Sequence, residues 1–414
     1  MTASETPKEL SPQHSSEPGP TQPDISYHPD LTNYKARTQR RLETEQLPQE
    51  LPNGFPRRLE SALVWEGDDF QPDEWVVVLA KSEILELDSA IENFKATSKP
   101  LGFLSRATFP LPTLSAKLQP HVIELHQGRG FFVLRGIPVN KYSRLDSIIA
   151  YAGISAYVGD VRGRQDLSGM VLNHIKDLRE THSDQVIGAP AYTTDKQVFH
   201  TDPGDIVSLF ALEEAAEGGT SRISSSWRVY NELASTRPDL IHTLCEPWNL
   251  DGFGGDPPYL TRPLLYYTPQ KRLIIQYARR HFTGYHALAR SKNIPPITEG
   301  QAEALDALHF TAERYNLGLT FRQGDIQYIN NLSIFHSRDG FKDSETKKRH
   351  LLRLWLRNEE LAWETPEELK PRWNKLYYEL KPEDQRFPLE PEIRVGYADL
   401  GFKPSHHVPQ HATK

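Results

Sequence analysis

The chain has 414 residues, with 48 Lys plus Arg against 55 Asp plus Glu and a formal net charge of −7. That balance excludes a dedicated nucleic-acid binder, which would carry a basic excess, and a single cysteine, Cys245, excludes a disulfide scaffold. No apolar run approaches the roughly 20 residues that span a bilayer, residues 1–7 lack the basic patch and apolar stretch of a secretory signal, and the lone thiol suits a reducing, cytoplasmic location.

Residues 1–50 are expected to be a disordered polar arm: six of the first thirty are proline, and Ser, Thr, Glu and Gln fill most of the rest. Residues 72–94 carry apolar residues at helical spacing and predict one helix. A second helix, Ala116–His126, runs into a buried strand bracketed by glycines at 128–137, and another helix covers about 144–157. The stretch 165–200 is polar and irregular. Ile206–Leu212 reads as a strand, Gly218-Gly219 as a turn, and Ser224–Ser226 as the N-cap of the next helix. Residues 264–277 predict a hairpin around Thr268-Pro269, and Thr298–Tyr315 an amphipathic helix. Strands follow at 324–329 and 351–356, and proline and charge rise again from Thr365. Residues 51–365 are therefore expected to form one catalytic domain, and 366–414 a C-terminal extension with a disordered end. Strands that do not alternate regularly with helices favour a mainly β jelly roll with flanking helices over a doubly wound parallel sheet.

The chemistry-bearing motif is His200-Thr201-Asp202. On an extended chain, residues i and i+2 project from one face, so an imidazole and a carboxylate can converge on one ion. Two other such triplets occur, His28-Pro29-Asp30 in the polar arm and His182-Ser183-Asp184 in loop sequence, but only the third leads directly into a buried strand. A second histidine from a distant strand would complete the two-His, one-carboxylate facial set of non-haem iron(II) oxygenases. Far downstream, Gly324-Asp325 starts a strand, Asn330-Asn331 can bond the backbone, and His336 ends the segment. Arg349 and Arg353 follow, and an arginine on a buried strand calls for an anion. Asn331 reads as scaffolding. His281 and His286 read as surface residues near the hairpin, and the tail histidines His406, His407 and His411 as irrelevant to the site.

This combination of His-x-Asp, a Gly-Gly turn followed by Ser or Thr, Gly-Asp with Asn-x4-His, and two arginines resembles the taurine dioxygenase (TauD/TfdA-like) family over roughly 125–360. The resemblance implies a double-stranded β-helix of the jelly-roll, clavaminate synthase-like kind, and an oxygenase using Fe(II), 2-oxoglutarate as cosubstrate and O2. It implies that His200, Asp202 and His336 bind iron and that Arg349 pairs with the distal carboxylate of 2-oxoglutarate. Ser221 would add a hydroxyl to that carboxylate, with Thr220 the adjacent candidate. Arg353 would meet an acidic group of the substrate, and His174 lies near the place of a substrate-contacting histidine. The expected substrate is a small amino acid or similar carboxylate or sulfonate, oxidised by hydroxylation, desaturation or ring closure, with no nucleic-acid or membrane partner and homo-oligomerisation left open. A zinc hydrolase using the same donors, or a non-catalytic 2-oxoglutarate-binding protein, remain the alternatives.

Overall fold

The computed structural model describes residues 21–394, save 184 and 186. Its principal helices, in chain order, are α1 (Leu31–Thr44), α2 (Lys81–Ala96), α3 (Pro112–Gln127), α4 (Arg144–Ser155), α5 (Ser226–Thr236), α6 (Pro238–Cys245), α7 (Glu299–Arg314) and α8 (Lys370–Tyr377). The strands of its two main sheets are β1 (Val76–Val78), β2 (Phe131–Arg135), β3 (Val161–Gly163), β4 (Leu172–Ile175), β5 (Gln197–His200), β6 (Ile206–Glu213), β7 (Ser221–Ser225), β8 (Leu317–Leu319), β9 (Ile326–Asn330), β10 (Ile334–Arg338) and β11 (His350–Arg357).

Among the described residues the major sheet runs β1-β2-β9-β6-β11-β3, with β4 also paired to β11, and the minor sheet runs β8-β7-β10-β5. Apart from the parallel β1–β2 pair, the ladders are antiparallel. The two-residue period of β11 sorts its side chains between two environments. Leu352, Leu354 and Leu356 join a core with Phe132, Phe210 and helices α2 to α4, while Trp355 belongs to the other core, with Val207 of β6 and Ile223 of β7. The result is the jelly roll with helical decoration that the strand pattern predicted.

Two expectations are corrected. The predicted helix 72–94 is interrupted: Pro72–Trp75 is a single turn, Val76–Val78 pairs with Val133–Arg135, and α2 begins only at Lys81. Three consecutive β-branched residues fit a pleated, half-buried surface better than a helix, and a neighbouring strand was there to take them. The arm expected to be disordered contains α1, N-capped by the Asp30 side chain, which accepts from the Asn33 amide at 2.8 Å. Arg37 and Arg41 are buried on α1 and meet acids of α7: Arg37 bonds Glu299 and Asp306, and Arg41 bonds Glu303. Periodic burial of charge, rather than of apolar residues, leaves no hydrophobic signature to read.

The C-terminal extension is also seated on the fold. Trp373 Nε1 donates to Asp205 Oδ1 at 2.6 Å, and the Tyr377 hydroxyl accepts from the Asp205 amide at 2.9 Å while donating to the Leu356 carbonyl at 3.0 Å. The stretch 165–200 holds the short strands β4 and β5. The predicted helices at 144–157 and 298–315 and the hairpin at 264–277 form close to their expected bounds. No helix among the described residues is long and apolar enough to cross a membrane. The tail histidines and Asp184 of the second triplet lie outside the described residues.

Candidate metal centre and its two cavities

His200 ends β5 and sits directly opposite His336 of β10, with ring centroids 4.1 Å apart. Asp202 follows in the tight turn after β5, and one ligand atom from each of the three residues falls within a 4.8 Å cluster. All three are buried. Asn331 fixes that turn: its Oδ1 accepts from the Asp202 amide at 2.9 Å, and its Nδ2 donates to the carbonyls of Asp202 and Gly204. Gly204 has φ +93°, a conformation that a residue with a Cβ resists. His200 Nδ1 lies 2.9 Å from the Val198 carbonyl, so it carries the proton and leaves Nε2 as the donor atom toward a metal.

Asp202 Oδ2 accepts from Arg353 Nη1 at 2.8 Å and from Trp355 Nε1 at 3.0 Å, two side chains from one face of β11. Burial opposes ionisation of Asp202, but Arg353, with the Trp355 bond, outweighs it and holds the carboxyl well below the usual range. Burial, and then the neighbouring His200, push His336 down to about 3. The cluster is thus one carboxylate and two neutral imidazoles, the protonation states in which these groups bind a divalent cation.

Two cavities meet at His200, Asp202 and Arg353. The first is lined by Ser221, Arg338, Arg349 and Leu351. Arg349 is 5% exposed, forms no ion pair among the described residues, and leaves Nη1 without a hydrogen-bond partner. Burial, and then the nearby Arg338, lower it to about 9. Such a guanidinium is costly to bury alone and is suited to a carboxylate. The Gly-Gly turn serves it directly: Gly219 has φ +75°, and a Cβ there would lie 3.1 Å from Arg349 Cδ and Nε. Ser221 Oγ donates to Gln327 Oε1 at 3.0 Å beside the same cavity. Thr220, the adjacent candidate, is not among the lining residues, and its carbonyl accepts from Asp339, because neighbours on an extended segment project to opposite sides.

The second cavity is lined on its far side by Tyr27, Arg262, Gln276, Tyr277, Arg279 and Arg280. His281, read as a surface residue, is buried and lines it too, while His286 is exposed and bonds Asp195. His174 is misplaced by the sequence reading. It bonds His350 at 2.7 Å and the Pro388 carbonyl at 2.9 Å, outside both cavities, because it occupies the outward register of β4 while Ile175 points in. Arg353, expected to reach the substrate, is instead bonded to Asp202 and, through Nε, to Gln165 at 2.9 Å.

The sequence profile of the "Taurine catabolism dioxygenase TauD, TfdA family" matches residues 97–355. The "Taurine hydroxylase-like protein SAT17" of Stachybotrys chartarum is 38% identical over 345 residues, covering 81% of this chain and 89% of the relative. The chain belongs to the TauD/TfdA family. A more distant relative, the "FR-33289 synthase" of Streptomyces rubellomurinus, is 24% identical over 294 residues, 68% of this chain and 85% of its own. Among solved structures, an asparagine oxygenase in complex with Fe(II), 2S,3S-3-hydroxyasparagine and succinate aligns over 68% of this chain and 93% of its own, with a TM-score of 0.53 at 16% identity. The non-haem iron oxygenase OrfP, in complex with iron and α-ketoglutaric acid, aligns over 68% and 94% with a TM-score of 0.50 at 18% identity. As a TauD/TfdA member, the chain is an iron(II)- and 2-oxoglutarate-dependent dioxygenase on the fold these structures share. Its donor set and the lone Arg349 fit those two groups.

Sequence reasoning missed several residues of this TauD/TfdA site. Gln165 and Trp355 hold the Asp202–Arg353 pair, Arg338 shares the Arg349 cavity, and Tyr27 reaches in from before α1. Only Arg338 and Trp355 carried a signal, each lying two residues from a residue already singled out, on the same strand face.

Proposed function

We propose that this dioxygenase oxidises an unactivated C–H bond of a small acid, an amino acid or a similar carboxylate or sulfonate, with His200, Asp202 and His336 as iron ligands and with Arg349 and Ser221 on the distal carboxylate of 2-oxoglutarate. The observation that carries the reading is the buried, unpaired Arg349 in the cavity that shares His200, Asp202 and His336. A zinc hydrolase would have no use for a second carboxylate site beside the metal.

When bound, iron(II) and 2-oxoglutarate supply oxidation of a C–H bond by dioxygen, with release of succinate and carbon dioxide. The chain's part is positional. Asp202 stays ionised through Arg353 and Trp355, and the Val198 carbonyl orients His200. Buried walls on both sides of the triad keep bulk water from the reacting carbon. Hydroxylation, desaturation and ring closure all begin with the same hydrogen removal, so this arrangement serves each of them.

The named relatives support the substrate class: one is called taurine hydroxylase-like, and solved structures of similar fold hold hydroxyasparagine or hydroxyarginine. We place the activity in the cytoplasm, on residues 51–365 together with Tyr27, α1 and α8, which complete or brace the second cavity. The test is anaerobic titration with iron(II) and 2-oxoglutarate, followed by succinate release on a panel of amino acids and small sulfonates. One-to-one uptake of both, with succinate formed only when a panel member is oxidised, is expected; retention of zinc with no consumption of 2-oxoglutarate overturns the reading.

A further inference from the structure

The second cavity contains an unusual run of side chains. Gln276, Tyr277 and Arg279 are each no more than 2% exposed, and Gln276 Nε2, the Tyr277 hydroxyl and Arg279 Nη1 all lack a hydrogen-bond partner. Buried donors left unpaired cost free energy, and three within four residues on one cavity wall call for a common acceptor. The segment leaves the second strand of the 264–277 hairpin and is pinned to the His-x-Asp motif itself. The Thr201 amide donates to the Tyr277 carbonyl and the Tyr277 amide donates to Thr201 Oγ1, both at 2.9 Å.

The segment is held before any ligand arrives. Arg279 donates from Nε to the Ser26 carbonyl at 2.8 Å and from Nη2 to Asp306 Oδ1 at 2.7 Å, so its remaining nitrogen has a fixed direction. The backbone of Gln276 bonds Leu264 and Arg262. Asp306 is shared by Arg279 and Arg37, and Arg37 also pairs with Glu299; the positive excess lies in the cavity lining itself, where Arg262, Arg279, Arg280 and Arg353 stand together. Asp202 is the one carboxylate among the lining residues, and it is already bonded by Arg353. Tyr27 lines the same cavity from the N-terminal side, with Arg279 and Arg280 acting on its hydroxyl.

Resting on the oxygenase reading above, we propose that Gln276, Tyr277 and Arg279 form the subsite that holds the oxyanion group of the substrate, with Tyr27 closing it, and that Arg353 is not the substrate anchor. Donors on a positive wall recognise an acceptor-rich anion: a carboxylate, a sulfonate or a phosphonate. Anchored there, the substrate lies on the side of His200 and Asp202 opposite Arg349, so the two anions occupy separate cavities.

The test uses the full chain loaded with iron(II) and 2-oxoglutarate under nitrogen, titrated calorimetrically with propionate, ethanesulfonate and ethylphosphonate. Wild type is expected to bind at least one probe, and Tyr277→Phe and Arg279→Lys each to weaken it tenfold or more while 2-oxoglutarate affinity stays within twofold. Tyr277→Phe removes a hydroxyl without a partner, so its melting temperature should not fall; it decides the question if Arg279→Lys, which disturbs the Asp306 pair, does not fold. Failure of wild type to bind any probe, or probe binding by Tyr277→Phe within twofold of wild type, overturns the subsite. Iron and 2-oxoglutarate uptake is measured first on the same sample. Its absence defeats the oxygenase reading and the subsite with it, whereas uptake with unaltered probe binding defeats the subsite alone.

Discussion

Arg353 donates from Nη1 to Asp202 Oδ2 at 2.8 Å across 151 residues of sequence, and Trp355 Nε1 meets the same oxygen at 3.0 Å. The carboxylate of the candidate metal site is therefore charged and oriented by the strand that faces it from the other sheet.

Breaking that pair should be felt at the metal. Arg353→Ala leaves a buried carboxylate without its cation, which costs about 3–5 kcal/mol. Melting temperature should fall, and iron(II) affinity should drop as Asp202 loses the bond that orients its carboxylate. Parallel melting curves and anaerobic iron titrations check this. Unchanged iron affinity in a folded Arg353→Ala protein would return Arg353 to the substrate.

Removing a metal ligand should act differently. His200→Ala, Asp202→Ala and His336→Ala are each expected to abolish stoichiometric iron binding and succinate formation. His286→Ala, at an exposed residue bonded to Asp195 outside both cavities, should retain both. Metal analysis of the four proteins prepared side by side makes the comparison.

Arg349 gives a prediction with two opposite signs. It is buried with no ion pair, so Arg349→Ala should leave the stability of the ligand-free protein unchanged or raised. The same variant should bind 2-oxoglutarate at least a hundredfold more weakly, the equivalent of about 3 kcal/mol for a lost buried charge partner. Ser221→Ala should cost on the order of 1 kcal/mol. Thermal denaturation and 2-oxoglutarate titration on each variant separate the two signs, and a large stability loss in Arg349→Ala would show it already paired.

Stability should fall on mild acidification. Burial, and then the neighbouring His174, lower His350 to about 2; burial, then Lys196 and Arg279, lower His309 to about 3. Both sit below the ordinary histidine value, so between that value and the folded one the unfolded chain binds more protons than the folded chain. Their contribution is complete above about pH 6.5 and is lost as pH drops toward 3. Urea denaturation of the metal-free protein at pH 7.5 and 5 should give the lower stability at pH 5, and His309→Gln should narrow the difference.

Helix α1 should be part of the cooperative fold. Arg37 joins Asp306, Glu299 and the Asp24 carbonyl, and Asp306 in turn fixes Arg279 on the wall of the second cavity. Arg37→Ala should cost about 3 kcal/mol by leaving Asp306 a weaker set of partners. A single two-state unfolding transition at a lower midpoint is expected; an unchanged midpoint would make α1 an ornament.

What the sequence by itself determined was local. Covalent geometry fixes the spacing within His200-Thr201-Asp202, the glycines mark positions with positive φ, and the two-residue period places Leu351 and Arg353 on one face of β11, with Arg349 just before the strand lining the same cavity. Those features sufficed for the family, the fold class and the three residues that now lie together. Tertiary structure decided the partners. Whether Arg353 meets a substrate or Asp202, whether His174 faces the cavity or Pro388, and whether the polar segment around Arg37 finds Asp306 depend on which buried charges come together. Desolvation makes an ion pair worth forming only where both groups are buried in the same place, and that place is set by strands and helices more than a hundred residues apart.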